Sequence, residues 1–580
     1  MFGFLSQQAK DHVDPLQSPK IATAWLRQLP ALDVIGRQQH VMRAFAEMRQ
    51  SRKDFDLQRF AAVEYLDAAL GTDRRQLLKQ YVENAEGSSR LSERIWQASH
   101  EMAQGFSYAY QALLEQALAQ PHHARWKPVL PLLFTRLIHS FGTDAKLRVF
   151  RFERWIPAKW RELHEVYSRA VEIGVDRIPT VLTGTPPNAA QWTVEQEYLN
   201  VLLVHLLNTG NLSPPELDWA SAQLRAWCRR LAIDVAPRSM DGFYVNLAGR
   251  SGLVRRTGND SGTLLRYVDT TPVAEQLERA IVTLHHAEAT ENASASTVNK
   301  QRIGVLEKLR PAVAPNLNAN LRRNPRIAVS VVARVRIGLA LICRDLAAKE
   351  SGDGAIVDGD TAGAGESAGG RRSGGGEHIE VYAVSGGPRV KRPAGNEPDT
   401  IVASVSKFGD PLWQVKDRSV AGLRIAASGG SGQSLALGAL VAVRQNDLSD
   451  WVLGVVRRIN KLSNDEVEAG VSVIAERVVA LSLAARRDPR DDTGIIVDGL
   501  DLTTVGARFD GLYLPPPSRP DKPLAVKTLI VPTAEYSEGR KLILTTGRSV
   551  YTVALRHLVE QRAEWSWAAI QIVDKTARAG

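Results

Sequence analysis

The chain has 580 residues, with 73 Lys and Arg against 63 Asp and Glu and a formal net charge of +10. A hydrophobic share of 44% and a charged share of 23% are ordinary for a globular protein and exclude collagen-like, coiled-coil and wholly disordered chains. At roughly 100–200 residues per domain the length predicts about three or four folded units, and two cysteines, Cys228 and Cys343, exclude a disulfide scaffold or a cysteine-only metal site.

The start, MFGFLSQQAK, has no basic stretch ahead of an apolar core, so no secretory signal is expected. Helical patterning begins soon after. Phe60, Val63, Leu66 and Leu70 recur in steps of three or four, and the stripe lapses at Gly71-Thr72. From Leu91 a second stripe runs through Ile95, Ala98, Met102, Phe106, Ala109 and Leu113. Further stripes cover Trp155–Ile173, Val194–Leu207 and Leu217–Leu231, the last preceded by the helix-start signal Pro214-Pro215. No fixed period repeats along them, so a helical-repeat solenoid is not expected.

The texture changes after this helical domain, set at residues 1–232. Phe243–Leu247 and Leu264–Val268 look like strands between Gly-rich turns, followed by helical stretches at Val273–His286 and Arg302–Leu309. We take 233–310 as a small mixed α/β connecting segment. The apolar run Ile327–Cys343 carries Arg334 and Arg336 in its middle. Each would cost about 2.5–3.5 kcal/mol at a bilayer centre, so no membrane span is expected, and the chain reads as cytoplasmic. Both cysteines lie in apolar surroundings and read as buried, inert thiols.

Residues 351–376 (SGDGAIVDGDTAGAGESAGGRRSGGG) hold almost no large apolar side chain and read as a flexible insertion. Beyond it the pattern is β. Ile379–Val384, Ile401–Val405, Gly422–Ala426, Leu440–Arg444, Trp451–Ile459 and Ala469–Ile474 predict a small antiparallel barrel or sandwich. A second set runs through Ile495–Val497, Gly511–Leu514, Lys527–Val531, Lys541–Thr545, Ser549–Leu555 and Trp567–Val573, giving a C-terminal β domain over 493–580.

Two motifs carry the functional reading. Arg322-Arg323-Asn324-Pro325-Arg326 precedes the β-like run Ile327–Val335, and Pro325 favours an extended backbone before it. Guanidinium groups on such an arm suit both bidentate bonding to phosphate and stacking on a base. Further on, Asp417-Arg418-Ser419-Val420-Ala421-Gly422 has the form D-x-S-x-x-G and runs into Leu423-Arg424-Ile425. The pair, R-x-x-x-R before a strand and D-x-S-x-x-G at a later strand start, resembles the signature of PilZ domains. Gly438–Val441, Trp451–Arg457 and Glu468–Ile474 extend the resemblance to that family's middle and closing strands.

The resemblance covers about 318–483 and implies a six-stranded antiparallel β-barrel that binds the bacterial second messenger cyclic di-GMP, in a domain placed at 318–485. The fold class expected for the whole is thus multidomain α+β: a helical N-terminal half, a PilZ-like barrel and a second small β domain. By the resemblance, Arg322 and Arg326 grip phosphates and meet guanines, Asp417 and Ser419 bond a guanine edge, and Gly422 lets the backbone approach closely. Arg323 and Arg418 would add charge, and Trp413 is either a stacking platform or core. Arg326 and Asp417 are 91 positions apart, more than is usual for the family. Loop closure costs only about 0.6 kcal/mol per doubling of length, so the insertion is tolerable.

Other signals are weaker. Ser428–Ser434 lacks the Gly-Lys-Ser/Thr ending of a phosphate loop and reads as a hairpin turn. The adjacent pairs His122-His123 and His285-His286 lack the spacing of a metal site, and Asp488–Asp492 reads as charged linker. We expect no cofactor, no metal and no catalytic constellation. The expected function is a cyclic di-GMP receptor in signalling, with a protein partner on the helical half. The alternative is a non-enzymatic scaffold or adaptor with a non-binding barrel. Nucleic-acid binding through Arg540, Lys541, Arg548 and Trp565-Ser566-Trp567 ranks below both.

Overall fold

The computed structural model describes residues 14–50, 55–84, 90–119, 123–183, 191–258, 260–290, 293–316, 325–350, 412–428, 435–445, 450–462, 466–486, 505–516, 526–545 and 549–577. They form two compact units, Met1–Gly338 with Leu412–Arg477, and Leu339–Pro411 with Val478–Gly580. The predicted strands at Ile379–Val384, Ile401–Val405 and Ile495–Val497, and the insertion 351–376, lie outside the described residues.

The first unit opens with helices α1 (Pro19–Gln28), α2 (Val34–Gln50), α3 (Leu57–Ala69), α4 (Gly71–Glu83), α5 (Arg90–Leu118) and α6 (His123–Trp126). They are followed by α7 (Leu130–Val149), α8 (Pro157–Ile173), α9 (Val194–Leu206) and α10 (Pro214–Trp227). The predicted stripe of α3, Phe60, Val63, Leu66 and Leu70, is buried, and so are Ile95, Met102, Phe106, Ala109 and Leu113 of α5. At Gly71 the chain does not leave helix; α4 starts there directly. Ser213 and Glu216 form a capping box at the start of α10, with Pro214 in the first turn, where its missing N–H costs nothing.

A short ribbon of β1 (Thr180–Val181) and β2 (Gln191–Trp192) precedes α9. A four-stranded sheet follows α10, built from β3 (Ile233–Asp234), β4 (Phe243–Asn246), β5 (Val254–Arg255) and β6 (Leu265–Val268) in the order β3-β6-β4-β5. Helices α11 (Thr271–Thr290) and α12 (Ala293–Val313) then pair with each other. The mixed α/β stretch 233–310 shares its core with the helices before it. One apolar core runs from Leu16 to Val313 and takes in Ile233, Phe243, Val268, Val273 and Leu306. Strands of two to four residues cannot bury a face of their own, so the sheet borrows the helical core.

One set of buried polar groups within that core is paired around Asp67. Arg136, fully buried, lies between Glu64 and Asp67, while the Tyr110 hydroxyl donates to Asp67 at 2.7 Å. Burial would raise the pKa of Asp67, but Arg74 and Arg136 hold it down at about 2. His205 packs edge-on against Trp160, and burial, helped by Arg154, lowers its pKa to about 4.

A closed antiparallel barrel completes this unit. Its strands are β7 (Ile327–Ile337), β8 (Leu412–Ser419), β9 (Gly422–Ser428), β10 (Leu440–Gln445), β11 (Val452–Lys461) and β12 (Glu466–Ala475). They close in the order β10-β11-β12-β9-β8-β7. Alternate residues fill it: Trp413 and Val415, Leu423 and Ile425, Val441 and Val443, Val467, Ala469 and Val471. The barrel is tied to the helical half by backbone. Ile459 N–H donates to Gly210 C=O at 2.8 Å, and Lys461 N–H to Phe152 C=O at 3.0 Å. Gly210 (φ +74) and Phe152 (φ 61) both adopt left-handed backbone to make these contacts. Lys461 has a lowered pKa, chiefly from burial and then from Arg151.

The predicted apolar run Ile327–Cys343 is two elements. β7 ends at Ile337, Gly338 turns with φ +90, and helix α13 (Leu339–Glu350) begins the second unit. There α13 packs on β13 (Val479–Arg486) and β14 (Val505–Leu514). With β15 (Thr528–Pro532), β16 (Lys541–Thr545), β17 (Ser549–Gln561) and β18 (Trp565–Ala577) these strands close a second six-stranded barrel, in the order β13-β14-β15-β18-β17-β16. β13, which begins within the stretch 318–485, pairs with β14 and β16 and belongs to the second barrel. Among the described residues no helix is long and apolar enough to cross a membrane.

Candidate ligand-binding site

The D-x-S-x-x-G motif spans a hairpin. Asp417 and Ser419 lie at the end of β8, Val420-Ala421 make the turn, and Gly422 opens β9 opposite Ser419. The motif thus closes β8 and runs into the strand that opens at Gly422. The pairing contains an irregularity that decides where Asp417 points. Val415 pairs with Ile425 and Asp417 with Arg424, so two steps on β8 match one on β9. By simple alternation Asp417 would share the inward side of Trp413 and Val415. The bulge instead places it beside Arg424, whose strand neighbours Leu423 and Ile425 face the core. A carboxylate is thereby turned out of an apolar interior onto the barrel wall.

On that wall Asp417 is held from both sides. Arg326 Nη1 donates to its Oδ1 at 2.7 Å, and Arg424 Nε approaches its Oδ2 at 2.8 Å. Arg424 Nη1 lies 3.7 Å from Glu468 Oε2 on β12. Glu468, between the inward Val467 and Ala469, stands on the same outer face. Asp417 is buried as a residue, whereas the Arg326 and Arg424 side chains keep 31% and 44% of their exposure and remain open to an incoming anion. The sequence separation of 91 residues closes to one ion pair because Ile327 and Ala328 of β7 pair with Arg418 and Asp417.

The wall beside these charges is low. Gly470 pairs with Arg424 on one side and Arg458 on the other, and a Cβ on Gly470 would come within 3.3 Å of the Arg458 Cβ. Gly422 pairs with Ser472, and a Cβ there would sit 2.7 Å from the Val471 carbonyl oxygen. The close approach of β9 to β12 therefore demands glycine at 422. Ser419 Oγ donates to Gly422 C=O at 3.4 Å, at the long end of bonding, which leaves its acceptor lone pairs outward. The result is a shelf of small residues rimmed by Arg326, Asp417, Arg424 and Arg458, able to seat a flat polar group and offer cations to an anion.

Of the predicted residues, the structure brings together Arg326, Asp417, Ser419 and Gly422. Arg418 is exposed next to them. Arg322 and Arg323 lie outside the described residues. Trp413 is 2% exposed in the barrel core, the second of its two expected placements. Arg424, Arg458, Gly470 and Glu468 were not singled out from sequence. Alternation along β9 and β12 marks Arg424 and Glu468 as outward, but nothing local says that they meet.

The weaker signals resolve plainly. His285 and His286 are exposed on α11, and among the described residues no three His, Cys, Asp or Glu side chains cluster as metal ligands. Both cysteines are buried and burial raises each thiol to about 12. Trp565 and Ser566 are buried, Arg540 is paired with Glu535 at 2.6 Å, and Lys541 is exposed. Arg548, Asp488–Asp492 and Gly429–Ser434 lie outside the described residues.

Comparison with known families adds an independent observation on the other half of the same unit. Residues 20–238 match the family described as cyclic-di-GMP receptor FimW, N-terminal domain. The matched segment is the helical half, from α1 to just beyond β3, and it includes Phe152 and Gly210, which bond to β11. No curated protein matches the chain significantly.

Proposed function

We propose that this protein is a receptor for cyclic di-GMP whose first barrel is a PilZ domain. The observation that carries the proposal is the outward-turned Asp417, flanked by Arg326 and Arg424 over a glycine shelf, in one compact unit with the segment that matches a cyclic di-GMP receptor family. Two supports of different kind, a motif geometry in the barrel and a family match in the helices, point to one ligand.

A guanine edge presents two parallel N–H donors, which a carboxylate accepts, and O6 and N7 acceptors, which a guanidinium matches. In this reading Asp417 takes the N–H edge, and Ser419 bonds alongside. Arg326, with Arg322 and Arg323 on the arm ahead of it and Arg418 beside it, takes the phosphates and the remaining guanine face. Gly422 keeps the floor low. The protein acts in cytoplasmic signalling without chemical turnover, and its helical half docks a protein partner. The backbone bonds from β11 to Gly210 and Phe152 give ligand binding on the barrel a direct route to that half.

Calorimetry with cyclic di-GMP on the full chain tests the proposal. Losing one partner of a hydrogen-bonded charge pair costs about 2–5 kcal/mol, so Arg326→Ala weakens binding by roughly thirty-fold or more. No heat from the wild-type protein would leave the scaffold reading in its place, and equal affinities of wild type and variant would remove the assigned site.

A further inference from the structure

The free protein uses both oxygens of Asp417 internally, Oδ1 by Arg326 and Oδ2 by Arg424. A guanine edge that donates two hydrogen bonds to this carboxylate competes with those arginines for its lone pairs. Arg326 can turn to the ligand, because the ligand is anionic. Arg424, on the rim of the shelf, has a second carboxylate within reach, Glu468 at 3.7 Å. Glu468 is paired across the sheet with Asn460 on β11 and Ala426 on β9, neither of which carries charge. Gly470, opposite Arg424, places no side chain beside it on β12.

We infer that Glu468 is a positioning residue for the ligand site: it receives Arg424 when the guanine takes Asp417, so that the carboxylate is released without stranding a cation. This rests on the reading of the shelf as a cyclic di-GMP site. Glu468 does not touch the ligand; it sets how much of Asp417 the ligand can use. Because Glu468 lies on β12 beside Asn460, the shift of Arg424 also moves charge toward the strand that is bonded to the helical half.

Calorimetric titrations of the full chain with cyclic di-GMP, using a double-mutant cycle, decide the matter. Glu468→Gln weakens binding about ten-fold in the wild-type background, a loss of about 1.4 kcal/mol, and Glu468→Asp recovers most of it. With Arg424→Ala already in place there is no cation to receive, and the same Glu468→Gln change alters affinity less than two-fold. A loss that arose from a disturbed barrel would persist in that background, and would overturn the inference, as would a wild-type-background effect below two-fold. Binding by the wild type that depends on Arg326 but ignores Glu468 removes this inference alone; absence of binding by the wild type removes the site reading with it.

Discussion

Asp417→Asn is the most discriminating perturbation of the shelf. The substitution keeps the size and shape of the side chain and removes its charge and one acceptor oxygen. Two bonds are affected, Arg326 at 2.7 Å and Arg424 at 2.8 Å, and both arginines are about a third or more exposed, so water replaces much of what they lose. Exposed pairs contribute about 0.2–1 kcal/mol each, so the fold loses at most about 1–2 kcal/mol. The ligand loses more. Asn presents one donor where guanine needs an acceptor, and the mismatch of a buried donor pair costs about 2–5 kcal/mol, or roughly thirty-fold or more in Kd. Thermal unfolding and calorimetry on the same preparation separate the two effects. A Kd for Asp417→Asn equal to or tighter than that of the wild type would refute the reasoning. It would mean that Asp417 only restrains the arginines, and that the site binds any anion.

Three further outcomes follow from the packing. Gly422→Ala places a methyl group 2.7 Å from the Val471 carbonyl oxygen and forces β9 from β12, at about 1–3 kcal/mol, read as a lower melting temperature. Gly210→Ala meets both the left-handed backbone (φ +74) and the Ile459 carbonyl, so hydrogen exchange at β11 speeds up while that of the buried helix α7 is unchanged. His205, with a pKa of about 4, stays neutral in the folded protein while its unfolded counterpart takes up a proton near pH 6.5. Stability is therefore full above pH 6.5 and falls as pH drops toward 4, by up to about 3 kcal/mol. Urea unfolding of the wild type at pH 7 and pH 5 shows the loss, His205→Phe flattens it, and equal slopes for the two proteins would exclude His205 as its source.

The helical half was legible because its signals are local. The stripes at Phe60–Leu70 and Ile95–Leu113 are repeats within one element, and Pro214-Pro215 marks the start of α10. The two motifs flanking the insertion were equally legible as letters. Arg326 and Asp417, expected to meet a common ligand, bond each other directly through the pairing of β7 with β8. The domain edges were less legible. The segment after residue 232 has strand-like runs, but whether they own a core depends on what packs behind them, and Val479–Arg486 reads the same in either barrel.

What the amino-acid order determined by itself was the sequence of elements, helices and then two sets of strands, and the residue types available for an anion. Only the tertiary structure decided that Asp417 faces outward, that Arg424 and Glu468 share its charge, and that β11 is bonded to Gly210 and Phe152. The reason is register. Periodicity says which side of a strand a residue takes while the ladder is regular, but the single extra residue between Val415 and Asp417 exchanges the two sides, and its position is set by how β8 and β9 pair.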